Sequence, residues 1–139
     1  MSITAADRTK IIAVTVAMFD KAPDTAYLSS LVDTVAGGTS VLALAETLTA
    51  TDAYKAIYPS LSTNTEWATK LLDNLVGTTV SAAEKTWGVN TLVGMLNGGT
   101  SRGAVIYEAA VALNALDTSN SGWGTAAAMV QNKITVAAY

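Results

Sequence analysis

Four times in this chain a hydroxyl residue stands three positions ahead of a carboxylate, at the head of a stretch with helical apolar spacing. The pairs are Thr4 and Asp7, Thr49 and Asp52, Thr63 and Glu66, and Ser81 and Glu84. A hydroxyl so placed accepts from backbone N–H groups that have no partner in the first helical turn. The acid reaches back and complements the positive end of the helix. Apolar residues then recur every three or four positions, and strict alternation is rare. The pattern predicts helices over 4–20, 24–36, 40–48, 51–58, 63–77, 81–97, 101–116 and 122–139. Pro23 suits the first turn of the second helix, and Pro59 ends the fourth. Gly37-Gly38 and Gly98-Gly99 each stop a helix in the left-handed conformation, and the Thr-Ser that follows starts the next. The expectation is an all-α bundle of about eight short helices in a single helical domain, joined by short loops. A chain of 139 residues is long enough to bury a core without a metal or disulfide staple.

What the chain lacks narrows its chemistry. It has no Cys and no His, which removes thiol nucleophiles, redox pairs, zinc fingers, Ser-His-Asp triads and imidazole acid/base catalysis. Eight Lys and Arg against eleven Asp and Glu give a net charge of −3, and the cations are spread singly. Nucleic acid would demand a clustered basic face, so none is expected as a partner. The uncharged stretches Thr86–Ser101 and Thr118–Asn132 are broken by Gly, Asn and Ser, and fall short of the ~20 apolar residues of a membrane span. Ile11–Phe19 superficially resembles a signal-peptide core. Asp7 ahead of it and Asp20-Lys21 directly after it favour a buried first helix.

The tetrapeptide Gly-Gly-Thr-Ser occurs at 37–40 and again at 98–101, each copy between two apolar-periodic helices. This reads as a duplicated helix–GGTS–helix unit, over approximately 19–57 and 75–116, with a final helix at 122–139. Neither unit can bury its apolar face alone, so the two are expected to pack together.

Three segments carry a resemblance: Phe19-Asp-Lys-Ala-Pro-Asp24 with Leu28, Leu31 and the first Gly-Gly-Thr-Ser turn; Leu75–Ser81 through Asn97–Arg102; and the close Asn132-Lys-Ile-Thr-Val-Ala-Ala-Tyr139. Together they resemble a helical module found at the N-terminus of type I-secreted RTX and surface-layer proteins of Gram-negative bacteria, including Caulobacter-type surface-layer proteins. The resemblance implies an extracellular place on the outer surface, and a structural role in anchoring or self-assembly. It also implies copies of the same chain and lipopolysaccharide, or another surface glycan, as partners. Asp20-Lys21 replaces the usual Gly-Arg, Leu31 stands where Trp is common, and no Gly-Gly-x-Gly-x-Asp repeat is present. Calcium is therefore expected only through regions outside these residues, and no cofactor is expected within them. The absence of thiols suits a chain folded outside the cell. The 25 Ala and 20 Thr suit close helix–helix and subunit contacts. Tyr139 falls inside the last predicted helix, which suggests a longer polypeptide.

The residues offer few sites. Asp117-Thr-Ser119-Asn-Ser121-Gly122 opens like an EF-hand loop, but the twelfth position is Ala128 where a bidentate Glu belongs. It reads as a polar linker. The Gly-Gly-Thr-Ser turns read as caps rather than phosphate cradles, having no following Lys and no preceding strand. Glu84 and Glu108 fall on predicted solvated faces, and nothing in the sequence pairs them as an acid/base dyad. Trp67, Trp87 and Tyr107 at helical spacing are assigned to the core. Trp123, between Gly122 and Gly124, and Tyr58, before Pro59, are the candidate glycan or partner contacts. The expected function is non-enzymatic: an anchoring or assembly module. The alternative is a glycan- or protein-binding module of an adhesin-like secreted protein without lattice assembly.

Overall fold

The structure, a computed structural model, describes residues 4–19, 25–58, 63–77, 79–120 and 122–137. Among them lie eight α-helices and no strand: α1 (Ala5–Phe19), α2 (Thr25–Ala36), α3 (Val41–Leu48), α4 (Asp52–Ile57), α5 (Asn64–Val76), α6 (Ala82–Asn97), α7 (Arg102–Ala115) and α8 (Gly124–Ala137). The all-α expectation is met, helix for helix. Pro23 and Pro59, with most of the segment 19–24, lie outside the described residues.

The helix starts agree with the capping logic. Thr63 and Ser81 accept from the N–H groups of Glu66 and Glu84, and Thr4 accepts from Asp7 N–H at 3.1 Å. The α4 start differs from expectation. Its cap is Thr51, which accepts from Tyr54 N–H, and not Thr49. Thr49 instead donates its hydroxyl back to Glu46 O at 2.6 Å and closes α3. Two hydroxyls within three residues compete for the same junction, and the one that ends α3 cannot also begin α4.

The two Gly-Gly-Thr-Ser turns have the same geometry. Gly38 and Gly99 take φ of 115° and 103°, the left-handed region that glycine tolerates. Gly38 N–H donates to Val35 O and Thr39 N–H to Thr34 O; Gly99 and Thr100 do the same to Leu96 O and Met95 O. This is a Schellman closure in both places. Ser40 and Ser101 then cap α3 and α7 through Ala43 and Ala104 N–H. The two helices that follow these turns, α3 and α7, pack on each other. Gly103 makes this possible, because a Cβ there would stand 2.6 Å from Glu46 Cα.

At the centre is α1. Eight successive residues, Ile11 to Met18, are buried, as expected for a helix with no polar face. Thr15 satisfies its buried hydroxyl by donating to Ile12 O at 2.8 Å. Around α1 lie α2, α3, α4, α5, α7 and α8, with α6 on the outer side of α5. No described helix is long and apolar enough to cross a membrane.

Candidate contact site

The two candidate contact residues part company. Tyr58 is 1% exposed, which corrects its assignment as an exposed contact. Tyr54 and Tyr58, four residues apart, stack with ring centroids 4.9 Å apart, and Trp67 lies 6.0 Å from Tyr58. Trp67 Nε1 donates to the Tyr54 hydroxyl at 2.8 Å, Asn74 Nδ2 donates to the Tyr58 hydroxyl at 3.2 Å, and the Arg102 guanidinium covers the Trp67 ring at 5.4 Å. Every polar tip has a partner, so the trio can be buried. A proline next in sequence suggests a loop, but the four-residue step back to Tyr54 is the better signal.

Trp123 is half-buried, and local packing explains its glycine neighbours. A Cβ on Gly122 would press on the Glu84 carboxylate at 2.9 Å, and one on Gly124 would collide with the Thr118 carbonyl oxygen. Asn120 Oδ1 accepts from Gly122 and Trp123 N–H at 3.0 and 2.9 Å, which turns the chain toward α6. Trp123 Nε1 then donates to Glu84 Oε2 at 2.9 Å. Gly88 is the notch that receives the indole, since a Cβ there would stand 2.9 Å from Trp123 Cη2. The loop opening at Asp117 is organised by its own hydrogen bonds. Asp117 Oδ1 accepts from both the N–H and the hydroxyl of Ser119, and this holds its carboxyl below the usual carboxylate range. Ser121 lies outside the described residues. Among the described residues no three metal-ligating side chains gather.

Trp87 is not a core residue, contrary to expectation: it is 61% exposed. The buried residues of α6 are Gly88, Val89 and Leu92. Trp87 lies beside that stripe, and its helical neighbours Ala83, Asn90, Thr91 and Gly94 are all exposed. That company was readable in the sequence. Trp67 is in the core at 1% exposure, and Tyr107 is half-buried against it. The Trp87 and Trp123 rings meet edge to face, with centroids 6.0 Å apart. Glu84, predicted solvated, is half-buried beneath Trp123.

These tryptophans end an apolar groove of about 440 Å³. Beyond their turn, α6 rests chiefly on α5, while α7 rests chiefly on α1 and α3. The two therefore diverge, and Leu72 and Leu75 of α5 form the floor between them. Leu92 and Met95 line the α6 wall, and Ala112 and Leu113 the α7 wall. Gln131 Nε2 donates to Leu113 O and Leu116 O, which satisfies carbonyls at the free end of α7 and fixes that wall. No sequence signal located the groove, because it depends on how far two helices splay.

The groove has few polar groups to offer a ligand. Thr91 donates its hydroxyl to Trp87 O, and Asn120 Oδ1 is taken by the loop. Glu108, exposed on the α7 wall, is the one ionisable residue among the described lining residues. Such a surface suits contact with an apolar partner better than acid/base work, which needs a second positioned group. No family model, curated protein or solved structure matches the chain, so the resemblance to surface-layer modules rests on its residues alone.

Proposed function

We propose that the protein works by contact and without catalysis, as an extracellular module that anchors or assembles a surface-layer or related type I-secreted protein on a Gram-negative outer surface. Its partners are copies of itself and a surface glycan such as lipopolysaccharide. The observation that carries the contact reading is the groove between α6 and α7 with Trp87 61% exposed at its end. Large apolar side chains gathered in an open concavity mark interaction sites. The cell-surface part of the reading is supported by the resemblance of the turn and terminal segments.

The test is Trp87→Ser in the secreted protein on its producing cells. The exposed position leaves folding intact, so loss of protein from the envelope into the medium is expected. Full retention, with an unchanged envelope in electron micrographs, overturns the reading. The second reading, a glycan- or protein-binding module without lattice assembly, is favoured by the paired indoles Trp87 and Trp123, a shape suited to stacking on a ring. Sedimentation at high concentration separates the two: concentration-dependent growth supports assembly, and a strict monomer supports the second reading.

A further inference from the structure

We propose that the groove between α6 and α7 seats about two turns of an amphipathic helix from a partner chain, with a Leu- or Met-like apolar ridge and Lys or Arg along its flank. The inference rests on the contact reading above, and adds to the copies and the glycan a further partner that takes the groove itself.

The groove has the length for such a helix. Its α6 wall runs from Trp87 to Met95 and its α7 wall from Glu108 to Leu116. Each covers eight residues of rise, or about 12 Å. Apolar anchors at i, i+3, i+4 and i+7 of a docking helix span about 10 Å. Two helical walls over a leucine floor leave the place that one more helix would fill in a bundle.

The lining selects the chemistry of the ridge and its flank. The Thr91 hydroxyl proton and Asn120 Oδ1 are engaged locally, and Leu72, Leu75, Leu92, Met95 and Leu113 offer no polar side-chain group. A polar ligand lying along the middle of the groove would therefore lose hydrogen bonds to water without replacement. An apolar ridge loses nothing. The one formal charge among the described lining residues is the exposed Glu108 carboxylate, and no Lys or Arg lines the groove. A basic flank is therefore complementary and an acidic one repelled.

Among the described residues no helix of a second copy presents more than one exposed large apolar side chain, so none supplies the ridge. Besides Trp87, the exposed large apolar side chains among the described residues are Tyr27 on α2 and Leu42 on α3. They lie on different helices, one to each.

The test uses the folded chain with methyl-resolved NMR and two synthetic helical peptides. They share a leucine ridge and differ only in having Lys or Glu along its flank. The Lys peptide is expected to shift the methyl signals of Leu72, Leu92, Met95 and Leu113 saturably, and the Glu peptide to bind roughly tenfold more weakly. Ala112→Phe fills the groove from an exposed position and should weaken the Lys peptide by tenfold or more. Glu108→Lys, also exposed, should reverse the preference between the peptides, so the proposal stays testable if one variant misfolds. Several results would overturn it: no saturable shift, shifts away from these residues, equal binding of both peptides, or indifference to Ala112→Phe. A dimer that forms without peptide and is abolished by Ala112→Phe would show a second copy in the groove and overturn it too. Peptide failure alongside cell release by Trp87→Ser sinks only the helix inference. Peptide binding alongside full retention on cells sinks only the surface role.

Discussion

Two glycine-to-alanine substitutions, both inside helices, should move stability in opposite directions. In an open helix position, replacing Gly by Ala stabilises by up to about 1 kcal/mol, because Gly loses more backbone entropy on ordering. Gly94 is such a position, exposed on α6 with nothing within 4 Å of the place an added methyl would take. Gly103 is the opposite case. Its Cβ would stand 2.6 Å from Glu46 Cα and 2.9 Å from Glu46 N, against the 3.5–4.0 Å of ordinary carbon contact. The obstacle is backbone, so no side chain can rotate away, and α3 and α7 must part by about 1 Å. Overpacking of this kind costs about 1–3 kcal/mol. Set against the propensity gain, Gly103→Ala should destabilise by roughly 1–2 kcal/mol. With an unfolding entropy near 2.1 cal/mol/K per residue, that lowers Tm by about 3–7 °C, while Gly94→Ala raises it by about 2–3 °C. Thermal and denaturant melts followed by circular dichroism measure both, and an unchanged denaturant slope would show that the unfolded state is not responsible. If both variants are stabilised alike, the close approach of α3 and α7 is wrong.

Tyr58→Phe should cost about 1 kcal/mol by leaving Asn74 without its acceptor; no change in the melt would return Tyr58 to the surface. Trp87→Ser should cost about 1 kcal/mol or less, the worth of an edge-to-face contact at an exposed position, and a larger loss would mean the indole is structural. Burial raises the Tyr54 hydroxyl above its ordinary value, outweighing the Trp67 hydrogen bond and the Arg102 charge that lower it. The folded chain therefore keeps that proton longer than the unfolded one. The stability it contributes is full below about pH 10 and is lost as pH rises through the folded value. Melts taken up an alkaline series should fall more steeply for the parent than for Tyr54→Phe, and identical slopes would refute this.

The helix bounds were legible because caps and glycine stops are local. Ser40, Ser81 and Ser101 need only their next three residues to declare themselves. Junctions with two competing hydroxyls were not, as Thr49 and Thr51 show. Around Trp123 the flanking glycines marked a special turn, although their reason, the nearness of Glu84 and Thr118, was not legible. Tyr58 was misplaced because the proline after it was weighed above its four-residue step from Tyr54, and Trp87 because an aromatic at helical spacing was assigned to the core without regard to the small and polar residues on its side of α6. The groove itself is a matter of angle between α6 and α7, and Gly88 shows only a missing side chain until Trp123 is seen above it.

One consequence lies in α1. It precedes every other helix in the described chain, yet it touches α8, and both Val130 and Ile134 of that last helix are buried. During synthesis, the greasy face of α1 stays partly uncovered until α7 and then α8 have been made and can shield it. A nascent chain is therefore sticky and unfinished, and folding closes only when α8 meets α1. Truncation anywhere before that meeting should yield aggregates and no smaller working piece.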